Sequence, residues 1–254
     1  MIDVINFLKE QIKCSPSEVI CCFDIDQTIC TIEHPAVYVQ NYTKYQTELD
    51  EVLLGYKNSS FAHLPIQLDY ASKIFDDTFY EAFDKIPYHK IALTAAMTGP
   101  FESINRWEIF RYEVLKQLDI VFDDPLFHDS DFILDDLPMY MGYRPVFYKG
   151  VLCSNGEYTT TNKGTALCSF LKKNDLRPKY IVQVDDKQFN LNFISDELSK
   201  QYPDTHFIGI LYKGADNYCP QTISKEDFIK FWTDNCERVK NFRSEYTNNQ
   251  SPRQ

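Results

Sequence analysis

The sequence predicts an α/β fold in which a mainly parallel sheet is flanked by helices and a mostly helical cap is inserted after the first strand. Short apolar runs that end at polar residues alternate with stretches of helical periodicity, an order typical of parallel sheets. Two of these runs, residues 19–23 and 179–184, end directly at aspartates. Residues 29–88 separate the first run from the next and carry apolar side chains at helical spacing, which predicts the cap.

Length, charge and cysteine content restrict the kind of protein. A chain of 254 residues is long enough for one core domain with an insertion. Its net charge of -11 argues against a nucleic-acid partner, because such a partner requires a surplus of lysine and arginine. The eight cysteines lack any Cys-x-x-Cys spacing and are expected to be reduced, buried thiols. No apolar run is long enough to cross a bilayer.

The first part of the chain predicts helices around one strand. Residues 1–13 predict a short amphipathic helix, and residues 19–23 predict a strand that is buried on both faces. Within the cap, residues 65–85 predict one long helix. Such a cap would select the substrate and exclude water. The alternative is a peripheral pair of helices that only covers the core.

The middle of the chain predicts further strands and an acidic loop. Residues 90–95 predict the second strand, which ends at Thr94, and residues 119–122 predict a third. Residues 123–142 are rich in aspartate but lack the spacing of a calcium-binding loop, so a solvated loop is predicted. Residues 146–154 predict a strand or a hairpin.

Lys163 stands at the start of a predicted helix, with Asn162 or Thr161 as the cap. A cation at a helix N-terminus opposes the helix dipole, so this position is unfavourable unless something offsets the cost. Carboxylates and a phosphate group nearby would offset it. The alternative is an ordinary exposed lysine.

The end of the chain repeats the pattern of its beginning. Residues 179–186 predict an apolar strand that ends at two adjacent aspartates. Residues 206–212 predict the last strand, and Ser224 is the expected cap of a final helix. Residues 244–254 predict a polar, disordered tail.

Asp24 and Asp26 lie two residues apart where the first strand ends, and Thr28 follows two residues later. Side chains alternate along a strand, so both carboxylates are expected on the same side. Two like charges at short distance repel unless a cation or a third group holds them. The pair therefore predicts a bound divalent ion, and hard carboxylate oxygens favour Mg²⁺. The alternative is two acids that cap a strand end at a turn.

The Asp-x-Asp-x-Thr pattern of residues 24–28 resembles the first motif of the haloacid dehalogenase-like phosphatases. Three later features are similar to the further motifs of that superfamily and follow in the same order. They are Thr94 at a strand end, Lys163 at a helix start, and Asp185 with Asp186 after an apolar strand. Ligands of open α/β sheets bind at the carboxyl ends of strands, where these residues are expected. The resemblance covers about residues 18–212.

The resemblance implies a Rossmann-like core of the haloacid dehalogenase type at residues 1–28 and 89–243, with the cap at residues 29–88. It also implies phosphoryl transfer in two steps. Asp24 attacks phosphorus and forms an aspartyl-phosphate, and Asp26 acts first as general acid and then as general base. An acid at position 26, where dehalogenases lack one, favours a phosphatase.

The same resemblance implies the residues that bind Mg²⁺ and the substrate phosphate. Thr94 and Lys163 would bind the phosphoryl oxygens. Gln27 departs from the glycine, asparagine or serine that is commoner at its position, which leaves the chemistry intact. The ligands implied for the metal are Asp24, the backbone carbonyl of Asp26, Asp186 and, as a second choice, Asp185.

Asn-Lys-Gly-x-x-Leu at residues 162–167, followed by Val-Asp-Asp at residues 184–186, is similar to a little-characterised bacterial branch of the superfamily. That branch includes secreted proteins of intracellular bacteria and a protein-tyrosine phosphatase. The resemblance thus implies a Mg²⁺-dependent phosphatase, a hydrolase acting on a phosphoprotein, phosphotyrosine included, or on a small phosphomonoester. The reduced cysteines favour a cytoplasmic protein, whereas the resemblance to that branch favours a bacterial effector secreted into a host cell; Asp3 and Glu10 argue against a cleaved signal peptide. The alternative is a catalytically weak binding or effector protein that acts through its acidic, aromatic surface.

Overall fold

The computed structural model describes residues 1–122, 124–127, 130–157 and 161–247. These residues form nine strands: β1 (Val19–Phe23), β2 (Cys30–Ile32), β3 (Ser72–Ile74), β4 (His89–Thr94), β5 (Asp131–Ile133), β6 (Val146–Tyr148), β7 (Val151–Cys153), β8 (Tyr180–Asp185) and β9 (His206–Leu211). They also form ten α-helices: α1 (Ile2–Gln11), α2 (Val39–Lys44), α3 (Gln46–Leu54), α4 (His63–Asp69), α5 (Phe79–Asp84), α6 (Trp107–Gln117), α7 (Lys163–Lys173), α8 (Gln188–Gln201), α9 (Lys225–Val239) and α10 (Ser244–Thr247). Among the described residues, no helix has both the length and the apolar composition that crossing a membrane requires.

Seven strands form one sheet in the order β5-β6-β7-β4-β1-β8-β9. The five strands from β7 to β9 are parallel, and only β5 and β6 run antiparallel to their neighbours. This confirms the prediction of an α/β fold with a mainly parallel sheet flanked by helices. The chain adds β4 and β7 on one side of β1, then β8 and β9 on the other side. The carboxyl ends of β1 and β8 therefore border the crevice in which such sheets bind ligands.

β1 is buried on both of its faces, as predicted, and occupies the predicted residues. On one face, Ile20 and Cys22 belong to an apolar core that includes Phe170 of α7. On the other face, the ring of Phe23 lies 5.9 Å from that of Phe83 in α5, measured between centroids. Because side chains alternate along a strand, a strand covered on both faces is apolar at every position.

The start of α7 confirms the predicted cap. Oδ1 of Asn162 accepts hydrogen bonds from the backbone N–H groups of Gly164, at 2.9 Å, and of Thr165, at 3.1 Å. These bonds satisfy donors that have no partner inside a helix. A Cβ at Gly164 would lie 2.3 Å from the backbone oxygen of Phe193, so glycine permits α8 to approach α7 closely here. The Asn162 cap and the close packing against α8 thereby hold the start of α7, where Lys163 lies.

Residues 119–122 do not form the predicted third strand. The place beside β4 belongs to β7, which pairs with β6 in a hairpin within the predicted residues 146–154. Ile120 and Phe122 are nevertheless buried, and the Phe122 ring packs against Phe23 with 6.4 Å between centroids. Their apolar character reflects burial of an irregular segment, which a short apolar run does not distinguish from a strand.

The single helix predicted for residues 65–85 is also wrong. The chain forms α4, then β3, then α5, and β3 pairs antiparallel with β2 through partners that include Cys30 and Ile74. The apolar residues of this segment follow helical spacing but serve two short helices and one strand. The predicted cap segment therefore contains a two-stranded sheet besides its helices.

The chain folds as two compact units. The first comprises Met1–Ile29 and Asp76–Lys213, and the second comprises Cys30–Phe75 and the chain from Gly214. These limits differ from the predicted ones. The segment that contains α5 groups with the first unit, and the segment that contains α9 groups with the second instead of with the predicted core.

Aromatic contacts explain both differences. Phe83 of α5 packs against Phe23 of β1, which holds α5 in the first unit. In the second unit, the Trp232 indole of α9 lies 5.2 Å from the Tyr42 ring and donates a hydrogen bond to the Ala36 carbonyl at 3.2 Å. Ser224 caps α9 as predicted, since its Oγ accepts from the backbone N–H of Asp227.

Two predicted irregular segments contain short regular elements. In the predicted acidic loop, β5 pairs with β6 and forms one edge of the sheet. Asp123 and Asp129 of that loop lie outside the described residues. The predicted polar tail begins with the short helix α10, and its residues 248–254 are likewise outside the described part of the chain.

Candidate active site

Lys163 joins two aspartates at the carboxyl edge of the sheet. Asp24 directly follows β1 and is 6% exposed, and Asp185 is the last residue of β8 and is fully buried. Nζ of Lys163, at the start of α7, lies 2.7 Å from Oδ1 of Asp24 and 2.6 Å from Oδ2 of Asp185. Lys163 is itself fully buried, so the alternative of an ordinary exposed lysine is wrong.

Burial and charge act in opposite directions on this group. Burial raises the pKa of Asp24 well above its usual range, the nearby charge of Lys163 opposes that rise, and the charges of Asp185 and Asp186 add to it. For Lys163, burial lowers the pKa, but the charges and hydrogen bonds of Asp185 and Asp24 outweigh burial and raise the pKa above its ordinary value. Lys163 therefore remains protonated at neutral pH.

Asp185 is occupied by donors on both of its oxygens. Oδ2 accepts from Lys163 and from Nε2 of Gln183 at 3.1 Å. Oδ1 accepts from the backbone N–H of Lys187 at 3.0 Å and from Nδ2 of Asn190 at 3.1 Å. A carboxylate offers about four acceptor positions, and four donors fill them here. Asp185 thus serves to fix Lys163 and the turn after β8.

Asp186, the next residue, is in a different situation. Its Oδ1 is buried and has no hydrogen-bond partner among the described residues. Burial raises the pKa of Asp186, and the charge of Asp185 adds to the rise, against the opposing charges of Lys187 and Lys163. A buried carboxylate oxygen without a donor is costly unless a cation is bound there.

The three carboxylates lie close enough to share one ion. One ligand oxygen from each of Asp24, Asp185 and Asp186 lies within 4.8 Å of the other two. Lys163 contacts Asp24 and Asp185, so the cluster holds more acidic groups than this one ammonium group pairs with. A divalent cation with oxygen ligands, such as Mg²⁺, fits this charge and this donor set.

Asp26 stands apart from that cluster. Among the described residues, its carboxylate is not one of the three that could share an ion. Its Oδ1 instead accepts a hydrogen bond from Nη2 of Arg111 in α6, at 2.8 Å. The side chain of Asp26 is 39% exposed, whereas that of Arg111 is fully buried. The structure thus adds an arginine that was not among the predicted site residues.

A signal for Arg111 was present in the sequence. Trp107 and Leu115 lie four residues before and after it, and both are about 1% exposed. Residues at this spacing share one face of a helix. An arginine in the middle of a buried apolar stripe requires a charged partner. Periodicity shows that such a partner is needed but does not identify it.

Thr94 is the last residue of β4 and is buried. It stands two residues beyond Ala92, which pairs with Phe23, the residue before Asp24. Its Oγ1 accepts a hydrogen bond from the backbone N–H of Ala96 at 3.2 Å. That contact uses the hydroxyl only as an acceptor, so the O–H remains a donor for an anionic oxygen.

A second lysine, which the sequence also had not indicated, lies near the cluster. Nζ of Lys187 donates to Oε1 of Glu157 at 2.8 Å. Burial lowers the pKa of Lys187, but the charges of Glu157, Asp186 and Asp24, with the hydrogen bond to Glu157, raise it to about 12. The positive charge of Lys187 therefore acts on the same carboxylates as that of Lys163.

Fold and site together define an α/β protein with an acidic, lysine-bridged centre at the carboxyl edge of a parallel sheet. The chain belongs to the family described as "Protein of unknown function (DUF2608)", whose model matches residues 2–248. No solved structure matches the chain.

Three relatives come from Rickettsia species. An uncharacterized protein of Rickettsia bellii is 25% identical over 181 residues, which are 69% of this chain and 61% of that protein. One of Rickettsia conorii is 24% identical over 230 residues, which are 85% of this chain and 77% of that protein. One of Rickettsia felis is 29% identical over 133 residues, 52% of this chain and 43% of that protein. The chain thus covers less than two thirds of the length of the first and third relatives.

Proposed function

We propose that this protein is a Mg²⁺-dependent phosphomonoester phosphatase that acts through an aspartyl-phosphate. The observation that carries the proposal is the difference between the two adjacent aspartates after β8. Asp185 is filled by donors and holds Lys163, whereas Asp186, beside Asp24, keeps a buried oxygen for which the described residues supply no partner. A nucleophile, a fixed cation and an incomplete set of oxygen ligands are the groups that phosphoryl transfer needs.

In the proposed first step, an oxygen of Asp24 forms a bond to phosphorus as the bond from phosphorus to the leaving oxygen breaks. Asp26 gives its proton to that leaving oxygen, so an alcohol or phenol departs and an aspartyl-phosphate remains. In the second step, Asp26 takes a proton from a water molecule that attacks phosphorus. Inorganic phosphate leaves, Asp24 is regenerated, and Asp26 has recovered its proton.

The remaining residues stabilise the negative charge of the phosphoryl group during both steps. Lys163 holds Asp24 in place and is positioned to stabilise negative charge on the transferring group, and the Thr94 hydroxyl would donate to a phosphoryl oxygen. Mg²⁺ held by Asp24 and Asp186, with the Asp26 carbonyl that the resemblance implies, would offset the repulsion between the substrate phosphate and Asp24.

Hydrolysis of p-nitrophenyl phosphate, measured with Mg²⁺ and with a chelator, tests the function directly. We expect turnover with Mg²⁺ and its loss when the metal is removed. A panel of phosphotyrosyl and phosphoseryl peptides, sugar phosphates and nucleotides, ranked by kcat/KM, would then identify the substrate class. If the protein binds Mg²⁺ but hydrolyses no phosphate ester, the alternative of a binding or effector protein is favoured.

Mg²⁺ binding should distinguish Asp186 from Asp185 without any activity measurement. A ligand present at about 100 times its Kd stabilises the folded state by about 2.7 kcal/mol, which calorimetry detects as a rise in Tm. We expect this rise in the wild type and its loss in Asp186→Asn, because the amide removes the negative charge of the carboxylate whose Oδ1 has no partner among the described residues. Asp185→Asn should be less stable without metal but should still respond to Mg²⁺.

The two variants are matched controls, since each replaces one of two adjacent aspartates by its amide. Ca²⁺ and Na⁺ in separate scans would show whether the response is specific for Mg²⁺. The reverse pattern, in which Asp185→Asn abolishes the Mg²⁺ response and Asp186→Asn keeps it, would contradict this assignment.

A further inference from the structure

Arg111 is a buried cation aimed at an exposed acid. No part of its side chain is accessible to solvent, whereas the Asp26 side chain with which it pairs is 39% exposed. Nη2 of Arg111 donates to Oδ1 of Asp26 at 2.8 Å. One end of this pair is therefore fixed in the protein interior, and the other end is partly accessible to solvent.

The helix that carries Arg111 is held to the segment after β4. The backbone N–H of Trp107, the first residue of α6, donates to the Gly99 carbonyl at 2.9 Å. The Gly99 N–H in turn donates to Oε2 of the buried Glu108 at 3.0 Å. Trp107 is 1% exposed, so the first turn of α6 is anchored by packing as well as by hydrogen bonds. Arg111 follows one turn later and shares this fixed position.

We propose that Arg111 is the positioning residue of Asp26, because its guanidinium group holds Oδ1 and so fixes the orientation of the carboxyl group towards the leaving oxygen. A guanidinium group is a donor only. The Asp26 oxygen that accepts from it is therefore held in place, which fixes the direction of the whole planar carboxyl group. This inference rests on the proposed phosphatase function, in which Asp26 gives a proton to the leaving oxygen.

The chemical consequence depends on the leaving group. A phenol with strongly electron-withdrawing groups leaves as an anion and needs little protonation, whereas phenol itself or an alkyl alcohol needs a proton as the bond to phosphorus breaks. A correctly placed general acid contributes typically 10²–10⁴-fold to the rate. Loss of its orientation should therefore slow poor leaving groups selectively.

The test is the leaving-group dependence of kcat/KM in Arg111→Met. We expect activity within a few-fold of the wild type on dinitrophenyl phosphate and a loss of about 10²-fold on phenyl phosphate and alkyl phosphates. Asp26→Asn, which keeps an oxygen for Arg111 but has no proton to give, should show the same selectivity. The variant that carries both changes should be no worse than Asp26→Asn alone.

Two further variants keep the test decisive. The side chain of Lys116, also on α6, is 58% exposed and lies 4.0 Å from that of Glu113. Lys116→Met should therefore leave kcat/KM unchanged for every substrate. If Arg111→Met does not fold, Arg111→Lys can replace it in the test. Arg111→Lys keeps the charge, and its kcat/KM should still be lowered selectively for substrates with poor leaving groups. An equal loss on all substrates would make Arg111 merely structural and overturn this inference, whereas a wild type inactive on every phosphate ester would instead refute the proposed function.

Discussion

Asp24→Asn is expected to lower kcat by about 10⁴-fold or more while the protein stays folded. The amide cannot form the bond to phosphorus that a carboxylate oxygen forms, so the first step has no nucleophile. Rapid acid quenching during turnover should trap a hydroxylamine-sensitive phosphoryl group on the wild type and none on the variant. Asp196→Asn, at an exposed position of α8, is the matched control and should retain full activity.

The same variant should be more stable than the wild type in Mg²⁺-free buffer at neutral pH. Burial raises the pKa of Asp24 in the folded state, so its contribution to stability is full below the unfolded pKa of about 3.9. That contribution is lost as the pH rises through the higher folded-state pKa. Asparagine does not ionise, so the excess in unfolding free energy of Asp24→Asn over the wild type should grow with pH and vanish in acid.

Urea unfolding of both proteins at several pH values measures this difference. Retention of more than about a hundredth of the wild-type turnover would contradict the role of Asp24 as nucleophile. A variant that is less stable than the wild type at neutral pH would instead show that the bond from Asp24 to Lys163 outweighs the crowding of the three carboxylates.

The centre of the sheet could be predicted because burial there is complete. β1 has apolar residues at every position, since helices cover both of its faces, and the abrupt change to Asp24 marks its end. The start of α7 was equally readable, because an Asn162 cap and a lysine at the first helical position combine a strong local signal with an electrostatic cost. The structure places Asp24, Lys163, Asp185 and Asp186 together.

Elements at the margins of the two units could not be predicted in this way. The segment that contains β3 has apolar residues at helical spacing, but its pairing with β2 depends on residues about forty positions earlier in the chain. Phe122 is as buried as a strand residue, although it lies in an irregular segment. Arg111 stood in a helical stripe, and only the fold reveals that Asp26 is its partner. The local sequence pattern reflects burial, whereas strand pairs and ion pairs between residues far apart in the chain depend on the tertiary structure.

Lys163→Met should cause the largest loss of stability of any single substitution at the site. The change leaves Asp24 and the fully buried Asp185 without the ammonium group that lies 2.7 Å and 2.6 Å from them. Removing one partner of a buried ion pair costs about 3–5 kcal/mol, because the remaining charge is neither hydrated nor compensated. Urea unfolding at neutral pH measures this loss. The raised pKa of Lys163 keeps its contribution complete below about pH 10.4, the usual lysine value, so a neutral buffer reports the full effect.

A double variant separates the two possible causes of this loss of stability, which are lost charge compensation and lost packing. Lys163→Met combined with Asp185→Asn removes one of the uncompensated charges, so the double variant should recover part of the free energy that the single variant loses. Lys172→Met, on the same helix at 71% exposure, should change the unfolding free energy by less than about 0.5 kcal/mol. If the double variant were less stable than Lys163→Met alone, charge compensation would not be the role of Lys163. Full recovery would mean that Asp185 is present chiefly to hold this lysine beside Asp24.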